Sequence, residues 1–75
     1  MAASLDEVTQ LVRLTLGKRT VRAEDRLIED LGAESADIVN LAASVEDRFG
    51  IQLEESDLPS IRTVADLYDK VQARR

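Results

Sequence analysis

The run Asp30-Leu31-Gly32-Ala33-Glu34-Ser35-Ala36-Asp37 sets one serine among acids where a loop gives way to a helix. That hydroxyl, at the junction of loop and helix, is where chemistry in this run would have to be sought, and its position alone does not assign any. Ser35 cannot be a self-sufficient nucleophile, because the chain has no histidine and no cysteine to activate it. A plainer reading stands beside this one. Serine is among the best helix N-caps, and Asp37 suits the first turn of a helix, so Ser35 and Asp37 could serve the helix alone.

The elements that must position Ser35 follow from apolar spacing. Leu5, Val8, Val12 and Leu16 recur at helical intervals from Ser4 to about Leu16. Ser4-Leu5-Asp6-Glu7 has the form of a capping box, and Gly17 supplies a left-handed stop. Residues 18 to 34 read as a long loop with Leu27, Ile28 and Leu31 as apolar anchors. A loop of that length in so small a chain suggests function. The second helix is predicted from Ser35 or Ala36 to Phe49, with Ile38, Leu41, Ala42, Val45 and Phe49 in one stripe and Gly50 as its stop. Ile51 and Leu53 then alternate in extended fashion, and a short helical turn from Glu55 to Leu58 is expected to end at Pro59. The last helix begins at Thr63, capped with Asp66, and buries Val64, Leu67, Tyr68 and Val71. Arg74 and Arg75 fall where a helix C-terminus favours cations. The expected fold is all-α: a small up-and-down bundle of three main helices plus one short helix, with a long loop between the first and second helices.

The outward side of the second helix mixes Ala36, Val39 and Ala43 with Asn40, Glu46 and Asp47. Small apolar and acidic residues together suit a docking surface for a partner presenting basic and apolar groups. The alternative is that alanine is simply a good helix former.

Composition narrows the field. Seventy-five residues at 44% apolar fill one small core, so the chain is expected to be a single domain over residues 1–75 with no enclosed catalytic chamber. The lack of cysteine and histidine removes disulfides, thiolate and imidazole catalysis and the usual zinc or haem ligands, and no acid spacing resembles a calcium loop. Phe49 and Tyr68 are the only aromatics, too few for a base-stacking platform. The net charge of −5 opposes binding to nucleic acid or anionic lipid. That charge is concentrated: residues 24 to 57 carry eleven acids against Arg26 and Arg48, a net of −9, between ends that each carry +2. An acidic centre points to a basic partner. No apolar run approaches the length of a membrane span, and Met1 to Asp6 lacks the basic start and apolar run of a signal peptide, so a soluble cytoplasmic protein is expected.

With these residues in view, the chain resembles the acyl carrier proteins of the phosphopantetheine-binding type. Asp30-Leu31-Gly32-Ala33-Glu34-Ser35 stands where that family shows D-L-G-x-D-S-L. The similarity continues through Val39, Leu41, Val45 and Glu46 to Arg48-Phe49-Gly50-Ile51 and then Thr63-Val64-Ala65-Asp66-Leu67, covering about Leu5 to Val71. The resemblance implies that Ser35 accepts 4′-phosphopantetheine from coenzyme A and that the arm's thiol holds acyl groups as thioesters, in fatty-acid, polyketide or related biosynthesis. It implies a non-enzymatic monomer whose partners are a phosphopantetheinyl transferase and acyl-loading and acyl-transferring enzymes with basic surfaces. Glu34, Ala36, Asp37, Val39, Asn40, Ala43, Glu46 and Asp47 become the docking residues. Ile38, Leu41, Val45, Leu53, Ile61 and Tyr68 become candidates for lining an acyl cavity, against the simpler reading of each as core. Three positions depart from the pattern: Glu34 for the usual Asp, Ala36 for the usual Leu, and Asn40 where an acid is common. They suggest a specialised carrier. The competing expectation is an unmodified helical module that only binds a basic partner.

Overall fold

The computed structural model describes residues 4–74, and its order is α1 (Leu5–Leu16), α2 (Ser35–Phe49), a 3₁₀ helix (Glu55–Ser60) and α3 (Val64–Arg74). The expectations for the chain's first three residues and for Arg75 lie outside the described residues. Each helix forms where its sequence encodes both a stripe and an end. Ser4 Oγ accepts the Glu7 N–H at 3.1 Å while a Glu7 carboxylate oxygen accepts the Ser4 N–H at 3.0 Å, closing the expected capping box. Gly17 and Gly50 end α1 and α2 in left-handed backbone, with φ of 67° and 66°. Thr63 caps α3: its hydroxyl accepts the Asp66 N–H at 3.1 Å, and Asp66 returns the bond to the Thr63 N–H at 3.0 Å.

The helices bury one aliphatic core. Val8 and Val12 from α1, Leu41 and Val45 from α2, and Val64, Leu67 and Val71 from α3 meet with almost no exposed surface. Leu11, Leu16, Ile38, Phe49, Leu53, Leu58 and Tyr68 pack around them, half-buried. α1 packs against both α2 and α3, so it forms the spine on which the other two are arranged. No described helix is long and apolar enough to cross a membrane.

The long loop is held at both edges. Val21, Leu27, Leu31 and Ala33 are buried in the core. Leu27 N–H donates to the Arg62 carbonyl at 2.8 Å, and the amides of Val64 and Ala65 donate back to Asp25 and Ala23, so the loop is stitched to the start of α3 beside the Arg26–Thr63 bridge. Asp30 accepts the Arg26 backbone N–H at 2.8 Å and pairs with the same residue's guanidinium at 3.2 Å. That guanidinium bond first, and the backbone bond after it, hold the Asp30 carboxyl below its ordinary value.

Two details differ from the sequence reading. Ile28, expected as an anchor, is 58% exposed, because its neighbour Leu27 takes the inward position of the turn. Pro59 lies inside the 3₁₀ helix, which continues to Ser60. The φ imposed by the proline ring matches 3₁₀ backbone, and so short a helix loses little from the missing N–H.

Asp57 is the one buried charged residue among those described, at 6% exposure. It accepts the Glu54 N–H at 2.9 Å, the Arg74 guanidinium at 2.6 Å and lies 3.5 Å from Lys70 Nζ, which clips the 3₁₀ helix to the end of α3. The hydrogen bond from the Glu54 amide, followed by the one from Arg74, keeps its carboxyl below the ordinary range. Arg74 thus serves a tertiary contact.

Candidate functional site

Ser35 is the first residue of α2, and the N-cap is Glu34, in extended backbone with φ −98° and ψ 172°. Asp37 reaches back so that its Oδ2 accepts the Glu34 N–H at 2.9 Å, and the Glu34 carbonyl takes the first intrahelical bond from Ile38 at 3.1 Å. The expectation that Ser35 could itself be the cap is therefore corrected. Its neighbours on either side do the capping, because the acid three residues after Glu34 closes the box one position earlier. Ser35 is exposed, and its hydroxyl makes no hydrogen bond to any described residue. The fold makes no use of that oxygen, which stands at a helix N-terminus facing solvent.

Beside it lies an open groove of about 570 Å³ between the loop, α2 and the 3₁₀ helix. Its walls are Ile28, Ile38, Val39, Leu58, Pro59 and Ile61, and its polar margin is Ser35, Glu29, Glu55 and Arg62. Of the residues expected to line a cavity, Ile38 and Ile61 do face this groove. Leu41 and Val45 are instead fully enclosed in the core, and Leu53 and Tyr68 pack against the core away from it. The plain core reading holds for those four.

Sequence reasoning missed Ile28, Leu58, Pro59 and Arg62. The adjacent pair Leu27-Ile28 carried a signal, since a tight turn sends two neighbouring side chains to different sides. Arg62 carried none, because only its tertiary position brings it to the groove.

Along α2, Ala36, Val39, Asn40, Ala43 and Asp47 are exposed, as is Glu34 before it. Asp37 and Glu46 are half-buried and already engaged. Glu46 Oε2 accepts the Leu53 N–H at 2.8 Å, fixing the chain that leaves α2. Hence only part of the expected acidic surface is unoccupied by the fold. No group of three or more acids able to hold a metal ion occurs among the described residues.

Comparison with known proteins bears on this geometry. The family described as phosphopantetheine attachment site matches residues 6–71. An acyl carrier protein of Syntrophobacter fumaroxidans is 34% identical over 71 residues, 92% of this chain and 88% of the relative. Among solved structures, a Mycobacterium tuberculosis chain described as an acyl carrier protein superposes with a TM-score of 0.87 at 29% identity, covering 95% of this chain and 97% of its own. The Thermotoga maritima acyl carrier protein gives 0.77 at 30% identity, with coverage of 93% and 84%. The chain belongs to the phosphopantetheine-binding family of acyl carrier proteins, which carry acyl groups and leave the catalysis to other enzymes. The group such proteins carry is 4′-phosphopantetheine, and the matches do not favour the unmodified binding module. An exposed, unbonded hydroxyl at a helix N-terminus beside an apolar groove fits that group.

Proposed function

We propose that Ser35 is the attachment point and that residues 1–75 form one carrier domain. The observation that carries this is the Ser35 hydroxyl: it is exposed, makes no bond to any described residue, and lies within the matched segment. Ser35 Oγ attacks the phosphorus of coenzyme A nearest the pantetheine. The Oγ–P bond forms as the P–O bond of the pyrophosphate link breaks, the nucleotide leaves with the bridging oxygen, and the hydroxyl proton passes to a base of the transferase. The α2 N-terminus favours the resulting phosphodiester anion, and the bound arm supplies the thiol that this cysteine-free chain lacks.

The partners proposed are a phosphopantetheinyl transferase and acyl-handling enzymes with basic surfaces, met by a monomer in the cytoplasm. Ala36, Val39, Asn40, Ala43 and Asp47 present the docking face, while Glu34, Asp37 and Glu46 add charge from positions the fold also uses. Ala36 and Asn40, which depart from the family pattern, lie on that exposed face and support a carrier with its own partners.

The test is co-expression with a broad-specificity transferase followed by intact-mass measurement. A gain of one phosphopantetheine that disappears in Ser35→Ala is expected, and no gain with several transferases would overturn the reading. Charge reversal at Glu34 and Asp47 should slow modification and weaken its salt dependence.

A further inference from the structure

The groove beside Ser35 is not a plain hydrocarbon slot. Its polar margin includes Arg62, Glu29 and Glu55, all three exposed. In this acidic chain the other arginines and lysines from Arg22 onward in the described residues pair with carboxylates: Arg22 with Glu24, Arg26 with Asp30, Arg48 with Glu7, and Lys70 and Arg74 with Asp57. The Arg62 side chain has no such partner among the described residues. Yet its backbone is fixed from two sides: the carbonyl accepts the Leu27 N–H at 2.8 Å and the N–H donates to Asp66 Oδ2 at 3.1 Å. A residue whose side chain has five N–H donors is thus held by its backbone at the margin of the groove that Ser35 also lines.

We propose that Arg62 is a specificity-determining residue for the cargo, donating to a carbonyl oxygen of the acyl group beyond its thioester, so that the groove suits neutral, oxygenated acyl chains over plain alkyl chains. This rests on Ser35 being the attachment point. An alkyl chain laid along the groove offers the Arg62 donors no acceptor. A keto oxygen accepts from them in a hydrogen bond strengthened by the guanidinium charge. A carboxylate-bearing acyl group would also meet Arg62, but the two glutamates outnumber the one guanidinium and repel a further negative charge. The neutral carbonyl is the class left favoured.

The test uses the full-length protein carrying the arm, with modification at Ser35 first verified by mass. It is loaded in parallel with 3-oxohexanoyl, hexanoyl, succinyl and butyryl groups, in wild type and in Arg62→Met, a variant that keeps an unbranched apolar stem and removes every donor. Thioester lifetime is followed by mass spectrometry, and the Arg62 Nε–H signal by NMR. The expected result is hydrolysis of the 3-oxohexanoyl thioester ~5-fold faster in Arg62→Met, from loss of a charge-assisted hydrogen bond. The hexanoyl thioester should be unaffected or slower to hydrolyse, and the wild-type Nε–H signal should shift with the 3-oxohexanoyl cargo and not with hexanoyl. Equal effects on both six-carbon cargoes, or none, would overturn the proposal. So would a larger effect on succinyl relative to butyryl, which would assign the residue to carboxylates. A ³¹P shift produced by Arg62→Met in the unloaded protein would assign it to the arm's phosphodiester and also reject the cargo role. Absence of any mass gain removes the Ser35 reading itself, and this inference falls with it, an outcome distinct from the others.

Discussion

Asp37 Oδ2 accepts the backbone N–H of Glu34 at 2.9 Å, across the serine that lies between them in sequence. The two acids beside Ser35 therefore have a structural use: they end the loop and start α2. Helix capping and the proposed docking charge fall on the same residues, and mutations at Glu34 or Asp37 separate the two only if chosen with that bond in mind.

Ser35→Ala should leave thermal stability within ~0.5 kcal/mol of wild type, the range of surface changes that break no contact. The hydroxyl makes no bond to the described residues, so only modification should be lost. Unfolding curves of unmodified wild type and variant check this. Asp37→Ala, by contrast, should cost ~0.5–2 kcal/mol through the lost cap bond.

Glu46→Ala should destabilise by ~1–3 kcal/mol, because the Leu53 N–H, bonded to Glu46 at 2.8 Å, loses its acceptor. Glu46→Gln keeps an acceptor oxygen and should recover most of the loss. Urea unfolding of both, with Asp47→Ala as an exposed acid that should change little, distinguishes the acid that holds the fold from the acid that only faces solvent.

Leu27→Ala should cost ~2–5 kcal/mol, as for other fully enclosed leucines. Leu27 is 1% exposed and pins the loop that leads to Ser35. Because small domains have total stabilities of only ~5–15 kcal/mol, hydrogen exchange should show the loop and the start of α3 losing protection together.

Asp57 gives a pH dependence. Its folded-state value is depressed, first by the Glu54 amide and then by Arg74, so its stabilising contribution is complete above the unfolded carboxylate value of about 4 and is lost as pH falls through the lower folded value. Asp57→Asn should flatten the decline of the urea midpoint below about pH 4, with Asp30, held low by Arg26, supplying part of the slope that remains.

Much of the fold was legible because it is written locally. The stripe of Leu5, Val8, Val12 and Leu16 fixed the buried face of α1, and Ser4 with Glu7, like Thr63 with Asp66, announced a helix start within four residues. The family was legible for the same reason, from the local run Asp30 to Ser35. What escaped was written between segments. Asp57 looked like one more acid of a short turn, and its burial depends on Arg74, seventeen residues on. The bond from the Leu53 N–H to Glu46 could not be read from the helix pattern, because it forms only where the chain turns back after α2. The groove needed Ile28, Pro59 and Arg62 from three separate stretches, which no periodicity relates.

The capping of α2 by Glu34 and Asp37 has a consequence for how this chain works through repeated cycles. Because the scaffold closes without the serine oxygen, substituting that oxygen breaks no bond among the described residues, and the two acids hold the start of α2 whether or not the hydroxyl is modified.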